Sequence, residues 1–334
     1  MIYISDRKAL EDYLLDTGLV NKKDGYQIDY LQGGVSCTTV LVQANEQDFI
    51  VKQALEKLNV AEEWLCDTNR IRIEMESNEV YHNLVPENAP KVVSYDADNY
   101  IFVREAAPAS CRTWKSDLMS GLLDFEVATK VIQTLAIVHN KCAGDKEIEQ
   151  GFADKSVFYN LRINPYIEFI LHKHPDLTAY AKPVIDELMD SKITLVHGDY
   201  SPKNIILNER KVIVTDFEVA HYGHPCFDIG FLSNHLILKS IHMSSFGDAF
   251  LAMLRYVLKI YFDQINYIAK DQLESNFLKV LPLLMIARVD GKSPVEYIVK
   301  PEVKELVRSI AYEIIKESIL TSSDLLDLLS MRLV

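Results

Sequence analysis

The chain changes character near residue 107, and that change limits the fold more than any other feature of its 334 residues. Before it come short runs rich in Val, Ile, Tyr and Phe, at 27–32, 38–44, 48–54, 91–95 and 100–104, punctuated by Gly33-Gly34 and Asn45-Glu46. Such runs predict a small antiparallel sheet. One helix is expected among them, over about 69–84, where Ile73, Val80, Tyr81 and Leu84 share roughly one face and Pro86 and Pro90 follow. After residue 107 nearly everything has helical spacing: 125–142, 176–189 with Pro183 kinking or dividing it, 246–262, 271–287 and 304–320. The exception is a β-type island at 193–196, 205–207 and 212–215. The expected class is α+β, with a β-rich lobe over 1–107 and a helical lobe over 108–334 that carries short strands at its centre.

Composition narrows the partners. There are 48 Asp plus Glu against 35 Lys plus Arg, a formal net charge of −13, so a phosphate-binding nucleic-acid surface is not expected. No apolar run approaches the roughly 18 residues of a membrane span, and the start mixes charge into its first turns, so the expected location is cytoplasmic. The five cysteines are far apart with no CxxC pair, which suggests reduced structural residues rather than zinc ligands or a disulfide framework.

The island holds the most informative stretch, Leu195-Val-His-Gly-Asp199-Tyr-Ser-Pro-Lys-Asn204, followed by Val212-Ile-Val-Thr-Asp216-Phe-Glu218. Acids and an amide at the ends of short apolar strands suit phosphoryl transfer. That reaction uses an Asp that accepts the proton of an attacking hydroxyl, an Asn that ligates Mg²⁺, and a second acid on the next strand that bridges metal and phosphates. Asp199, Asn204 and Asp216 fit those roles. In Phe49-Ile-Val-Lys52-Gln-Ala a charge in the middle of an apolar strand needs a partner, and Glu74 and Glu76 on the following helix are both candidates. The small residues of Gly33-Gly34-Val-Ser36-Cys-Thr-Thr39 would let backbone N–H groups approach phosphate oxygens, although a plain hairpin explains them equally well.

From Gly33 to Gly230 the chain resembles the aminoglycoside phosphotransferase and choline kinase superfamily, and within it most of all the methylthioribose kinases. The residues that carry the resemblance are Ile50-Val-Lys52-Gln-Ala54, Glu63-Trp64, Arg70-Ile-Arg-Ile-Glu74, His197-Gly-Asp199, Asp216-Phe-Glu218-Val-Ala-His-Tyr-Gly223 and Phe227-Asp228-Ile-Gly230. The resemblance implies a two-lobed protein-kinase-like fold that binds ATP and Mg²⁺ between its lobes. It makes Asp199 the catalytic base, Asp216 and Glu218 metal ligands beside Asn204, Lys52 with Glu74 the phosphate-positioning pair, and Asp228 a brace for the catalytic loop. Val103–Ala107, including Glu105, would be the hinge that receives the adenine, and the Trp64 loop would lie near the nucleotide. Tyr200-Ser-Pro-Lys203-Asn204 is closer to the amide-bearing loop of aminoglycoside and choline kinases, and Lys203 would neutralise charge on the transferring group or point into water.

A late segment, Leu284-Met-Ile-Ala-Arg288-Val-Asp290-Gly-Lys-Ser-Pro294, resembles a stretch where an arginine reaches the sugar-side pocket of thioribose kinases. Arg288 and Asp290 are therefore candidates to contact substrate, with capping of its own helix as the alternative for Arg288. His139, His172, His174, His221, His224 and His235 are assigned no catalytic or metal role, and His197 is expected to orient the loop backbone. The expected activity is phosphorylation of a hydroxyl on a sugar-like acceptor, with an aminoglycoside or amino-alcohol acceptor as the alternative and an inactive nucleotide-binding module as the rival class. Residues 1–107 hold 19 acids against 10 Lys plus Arg, and the remainder 29 against 25, a near balance that favours an uncharged hydroxylated acceptor. The C-terminal helices read as packing surface or a homodimer face.

Overall fold

A computed structural model describes the chain except for residues 24, 32–35, 46, 58–65, 109, 318 and 334. The described residues form two compact units, Met1–Cys111 with Ile213–Val219, and Arg112–Val212 with Ala220–Val334. The architecture is mixed α+β with an antiparallel sheet.

The first unit contains α1 (Arg7–Asp16), β1 (Tyr26–Tyr30), β2 (Cys37–Ala44), β3 (Phe49–Ala54), α2 (Arg70–Leu84), β4 (Val92–Asp96) and β5 (Ile101–Glu105). The strands pair antiparallel in the order β1-β2-β3-β5-β4. Side chains alternate across a strand, so the pattern of apolar residues divides the sheet into two faces. Val40, Val42, Val51, Ile101 and Val103 join Leu10 and Leu14 of α1 in one cluster, while Cys37, Ala54 and Phe102 join Ile71 of α2 in another. Lys52, two residues before Ala54 and opposite Phe102, shares the α2 face. Helix α1 lies outside the elements expected from spacing. Its Asp6 cap accepts the Lys8 and Ala9 N–H groups, and burying Leu10 and Leu14 contributes about 1.5–3 kcal/mol each.

The second unit is mostly helical: α3 (Trp114–Met119), α4 (Phe125–Cys142), α5 (Lys146–Gly151), α6 (Ser156–Phe158), α7 (Phe169–Leu171), α8 (Thr178–Asp190), α9 (Cys226–His242), α10 (Gly247–Gln264), α11 (Lys270–Asp290), α12 (Pro301–Lys316) and α13 (Ser322–Leu333). A π-helical segment, Tyr159–Glu168, joins α6 to α7. The strands are β6 (Arg112–Thr113), β7 (Thr194–Val196), β8 (Ile205–Asn208), β9 (Lys211–Val214), which runs on into the first unit, and β10 (His221–Gly223). β6 pairs with β8 and β10 with β7, both antiparallel. α8 passes through Pro183 without dividing.

Helix α9 was not expected, and the reason is physical. Every residue from Cys226 to Ile241 is buried, so the helix lacks the polar face that makes amphipathic periodicity visible. It packs closely on α11 at Gly230, where a β-carbon would stand 3.1 Å from Val280 Cγ1 and 3.5 Å from Leu284 Cδ1. Gly230→Val should therefore lower the unfolding free energy by about 2–3 kcal/mol in urea titrations, because the added methyls have no space without moving one of the two helices.

Candidate active site

Each unit carries a group of charged side chains. In the first, Lys52 is buried and its Nζ donates to Glu74 Oε1 at 2.6 Å and to Asp216 Oδ1 at 3.0 Å. The choice between the two helix acids is thereby settled: Glu74 takes Lys52, while Glu76 pairs with Arg72 on the same helix at 2.6 Å. Burial alone would lower the Lys52 pKa, but Glu74 and then Asp216 carry it well above its ordinary value. Burial pushes Glu74 up to about 7 against the pull of Lys52. Lys52 thus holds its charge between two carboxylates. Asp216 has φ 71°, a left-handed backbone that an Asp tolerates better than most residues. The residue after it, Phe217, packs 4.6 Å from the Tyr81 ring and accepts a hydrogen bond from Ser77 Oγ at 3.3 Å, so α2 holds the acidic turn in place.

Arg70, at the start of α2, is fully buried. Its Nε donates to Glu218 Oε2 at 3.2 Å, and its Nη atoms donate to the carbonyls of Ser36, Leu55 at 2.6 Å, Asp67 at 2.8 Å and Cys66 at 3.2 Å. Ser36 therefore enters through its carbonyl, which Arg70 and the Leu55 N–H both use. Gly33 and Gly34, with Trp64, lie outside the described residues. Val103 is buried in the α1-side cluster of the sheet, and the Glu105 and Ala106 N–H groups already donate to the carbonyls of Lys91 and Asp48 at 2.9 Å.

In the second unit the turn after β7 is fastened by Asp228 of α9. Its fully buried carboxylate accepts the His197 N–H at 2.7 Å and the Gly198 N–H at 2.8 Å, and meets His139 Nε2 at 3.2 Å. Gly198 takes φ 75°, which a side chain would strain. His197 Nδ1 accepts the Asp199 N–H at 3.1 Å, so its ring orients the loop. Asp199 is nearly buried, and its Oδ2 faces Asn204 Nδ2 at 2.7 Å, Lys203 Nζ at 2.9 Å and Arg162 Nη2 at 3.1 Å. Lys203 therefore points at Asp199 as well as keeping contact with solvent.

Arg162 and Tyr166 were absent from the residues expected at the site. Arg162 also donates to the Gly198 carbonyl at 2.8 Å, and its guanidinium lies 5.6 Å from the Tyr166 ring centroid. Their π-helical segment breaks the ordinary helical spacing, so no periodicity marks them. A signal existed nonetheless: an arginine within Leu161-Arg162-Ile163 is a charge in an apolar run, as Lys52 is.

Arg288 and Asp290 part company. Arg288 Nη1 donates to Tyr166 OH at 2.9 Å, which brings it to the same ring as Arg162, and to the carbonyl and hydroxyl of Ser293 in the turn that follows its own helix. Asp290 instead receives Arg308 of α12 through both oxygens, at 2.7 and 2.8 Å, and His174 Nε2 at 2.9 Å. A substrate contact from Asp290 is not what this arrangement offers, since the carboxylate is spent on holding α11 to α12. Among the described residues no group of three His, Cys, Asp or Glu side chains is arranged to hold a metal, and no helix is long and apolar enough to cross a membrane.

The model of a family described as the phosphotransferase enzyme family matches residues 28–255. A methylthioribose kinase from Pectobacterium atrosepticum is 26% identical over 222 residues, which is 57% of this chain and 54% of that protein. The chain thus spans little more than half the length of the curated relatives it matches. Among solved structures, a choline/ethanolamine kinase family protein from Mesorhizobium loti aligns over 96% of this chain and 99% of its own, at 12% identity and a TM-score of 0.52. An aminoglycoside phosphotransferase solved as a ternary complex with streptomycin and ATP aligns over 94% and 97%, at 18% identity and a TM-score of 0.50. At these identities the likeness is one of fold.

Two substitutions test the geometry. Asp228→Asn places an amide N–H where a backbone donor must be met and should cost about 2–4 kcal/mol of unfolding free energy at neutral pH. Burial pushes the Asp228 pKa up, but His139 and then His197 outweigh it and hold the group below its ordinary value. A depressed carboxyl stabilises the fold above its unfolded pKa and loses that contribution as pH falls, so wild type and variant should converge in acid denaturation. The same sign applies to Asp290, held at about 2 by Arg308 and His174 against burial. Asp290→Asn should lose about 1–2 kcal/mol at pH 7 and progressively less below pH 4.

Proposed function

The chain belongs to the phosphotransferase enzyme family, and from that premise we propose that it transfers the γ-phosphoryl group of ATP to a hydroxyl of a small organic acceptor. The observation that carries this reading is Lys52, buried on a strand and held at once by the helix acid Glu74 and by Asp216. A strand lysine kept charged in this way is equipped to bind nucleotide phosphates. Ser36 would border those phosphates, whereas the backbone of Val103 and the Glu105 N–H are already engaged within the sheet and are not the groups that would meet the adenine.

Asp199 is the base. The acceptor oxygen attacks the γ-phosphorus, its proton passes to the Asp199 carboxylate, and the bond from the γ-phosphorus to the β,γ-bridging oxygen breaks to release ADP. Arg162, Lys203 and Asn204 orient one Asp199 oxygen, which makes the group a positioned but weak base, as a loose phosphoryl-transfer transition state needs. Asp216 and Glu218 are hard oxygen donors suited to Mg²⁺, and the partly exposed Asp216 carboxylate is the more accessible of the two; Asn204 would add a further hard oxygen donor. Bound there, Mg²⁺ would neutralise phosphate charge. Arg70 sets the Glu218 carboxylate, and Lys52 sets that of Asp216.

For the acceptor, the cations around Asp199 oppose a positively charged aminoglycoside or choline-type molecule and favour a sugar-like one. Asp199→Asn should lower kcat about 10³-fold while leaving the nucleotide dissociation constant within about threefold, and Lys52→Ala should weaken nucleotide binding about tenfold or more. ADP release across a panel of sugars and amino alcohols, with product masses, is the measurement. A folded protein that consumes no ATP with any acceptor, or whose product gains AMP instead of phosphate, would overturn the reading.

A further inference from the structure

Lys239 sits on α9, the helix buried along all but its last residue, and is itself 1% exposed. Among the described residues its ammonium makes one hydrogen bond, a long one of 3.4 Å to the His235 carbonyl, and stands 5.2 Å from the centre of the Tyr297 ring. Among the described residues it has no carboxylate partner. Arg288, on α11, also lacks one: its Nη1 serves Tyr166 and Ser293, and its buried Nε meets nothing. A third orphan is the buried Nε2 of His235, one turn before Lys239. Burying an ammonium or guanidinium without an opposite charge is costly, and buried donors are nearly always met.

The three groups share one neighbourhood: Lys239 reaches the His235 carbonyl, the His235 ring packs 5.3 Å from Phe231, Phe231 lies 6.0 Å from Tyr166, and the Arg288 guanidinium stands 5.6 Å from that same Tyr166 ring. Burial holds the His235 pKa well below its ordinary value, helped by Lys239, then Arg288, Lys203 and Lys115. Lys239 falls to about 7 through burial, then Lys115 and, more weakly, Arg288, with Glu296 opposing. The nearby acids are already engaged: Glu296 pairs with Lys115, and Asp199 faces Arg162, Lys203 and Asn204. The cluster also reaches the base. Arg288 bonds the Tyr166 hydroxyl, Arg162 stacks over the Tyr166 ring, and Arg162 is 3.1 Å from Asp199.

We propose that Lys239, Arg288 and His235 form an anion subsite on the acceptor side of Asp199, so that the acceptor is a hydroxylated small molecule that also bears a carboxylate or phosphate group. One anionic group supplies the missing counter-charge to Lys239 and Arg288 and the missing partner to His235 Nε2. Arg288 offers a planar fork suited to oxyanions, and Lys239 a point charge that becomes fully protonated once an anion is beside it. The hydroxyl-transfer half of this assignment rests on the phosphotransferase reading, whereas the anion-binding half does not.

The test uses matched probes on the full chain without nucleotide: D-glycerate against glycerol, and ribose 5-phosphate against ribose. Melting temperature and calorimetric affinity are measured for wild type, Lys239→Met, Arg288→Met and Lys52→Ala. The anionic member of at least one pair should bind about 100-fold more tightly than its neutral analogue, and which pair responds distinguishes carboxylate from phosphate. That preference should survive Lys52→Ala and disappear in Lys239→Met and Arg288→Met. Lys239→Met should fold and melt no lower than wild type, since it removes an uncompensated buried charge. If it fails to fold, Arg288→Met decides. Equal affinity for neutral and anionic probes, persistence of the preference in both methionine variants, or its loss in Lys52→Ala overturns the proposal. Anion binding without ADP formation when ATP and Mg²⁺ are added leaves the subsite standing and removes the phosphotransferase reading instead.

Discussion

A cation buried in a β-strand must be neutralised where it stands, and in the first unit that requirement organises the chemistry around β3. Lys52 faces α2 because side chains alternate along the strand, and its ammonium is met there by Glu74. A second contact, to Asp216, ties the acidic turn to the same point. Arg70 repeats the logic at the start of the helix, one turn before Glu74, taking Glu218 and four backbone carbonyls. α2 is thereby held in place by apolar packing at Ile71 and by two ion pairs, Lys52–Glu74 and Arg70–Glu218, the second of which engages an acid proposed for the metal. Its own apolar stripe is weak, so the charges do more to place this helix than its amphipathicity does.

The second unit meets the same requirement differently. Asp228 is neutralised by two backbone N–H groups and a histidine rather than by a cation, which converts a buried charge into a clamp on the loop that carries Asp199. Asp199 itself is surrounded by cations. At Lys239 and Arg288 the requirement goes unmet within the described residues. The overall near balance of charge after residue 107 concealed this: the acids lie mostly on exposed faces, while positive groups collect near the base. A reading from summed charge favoured an uncharged acceptor, and the local field favours an anionic one.

The elements most legible in the sequence were those with one wet face. The strands of the sheet and the helices α4, α10 and α12 were visible because apolar residues alternate or recur against polar ones, and their ends shifted by only one to a few residues. Among those that escaped were α9, buried all round, and the π-helical segment, whose period differs from 3.6. α1 escaped because it is short. Among site residues, Lys52, Asp199, Asn204, Asp216 and Glu218 stood out as polar groups at the ends or middles of apolar runs. Arg162 and Lys239 carry the same signal within Leu161-Arg162-Ile163 and Leu238-Lys239-Ser240-Ile241, in a π-helical segment and in a helix without a polar face.

What the sequence by itself determined is the inventory: a small antiparallel sheet, a helical remainder, and a short set of acids, amides and a lysine placed where strands end. Local patterns suffice for this, because alternation, turn residues and buried charge are properties of neighbouring positions. Only the tertiary structure decided the partners. It chose Glu74 over Glu76 for Lys52, turned Asp290 toward Arg308 and Arg288 toward Tyr166, and brought Arg162 to Asp199. Partnership depends on which helical faces meet across residues far apart in the chain, and pairing of buried charge is settled by distances of about 3 Å that no spacing along a sequence encodes.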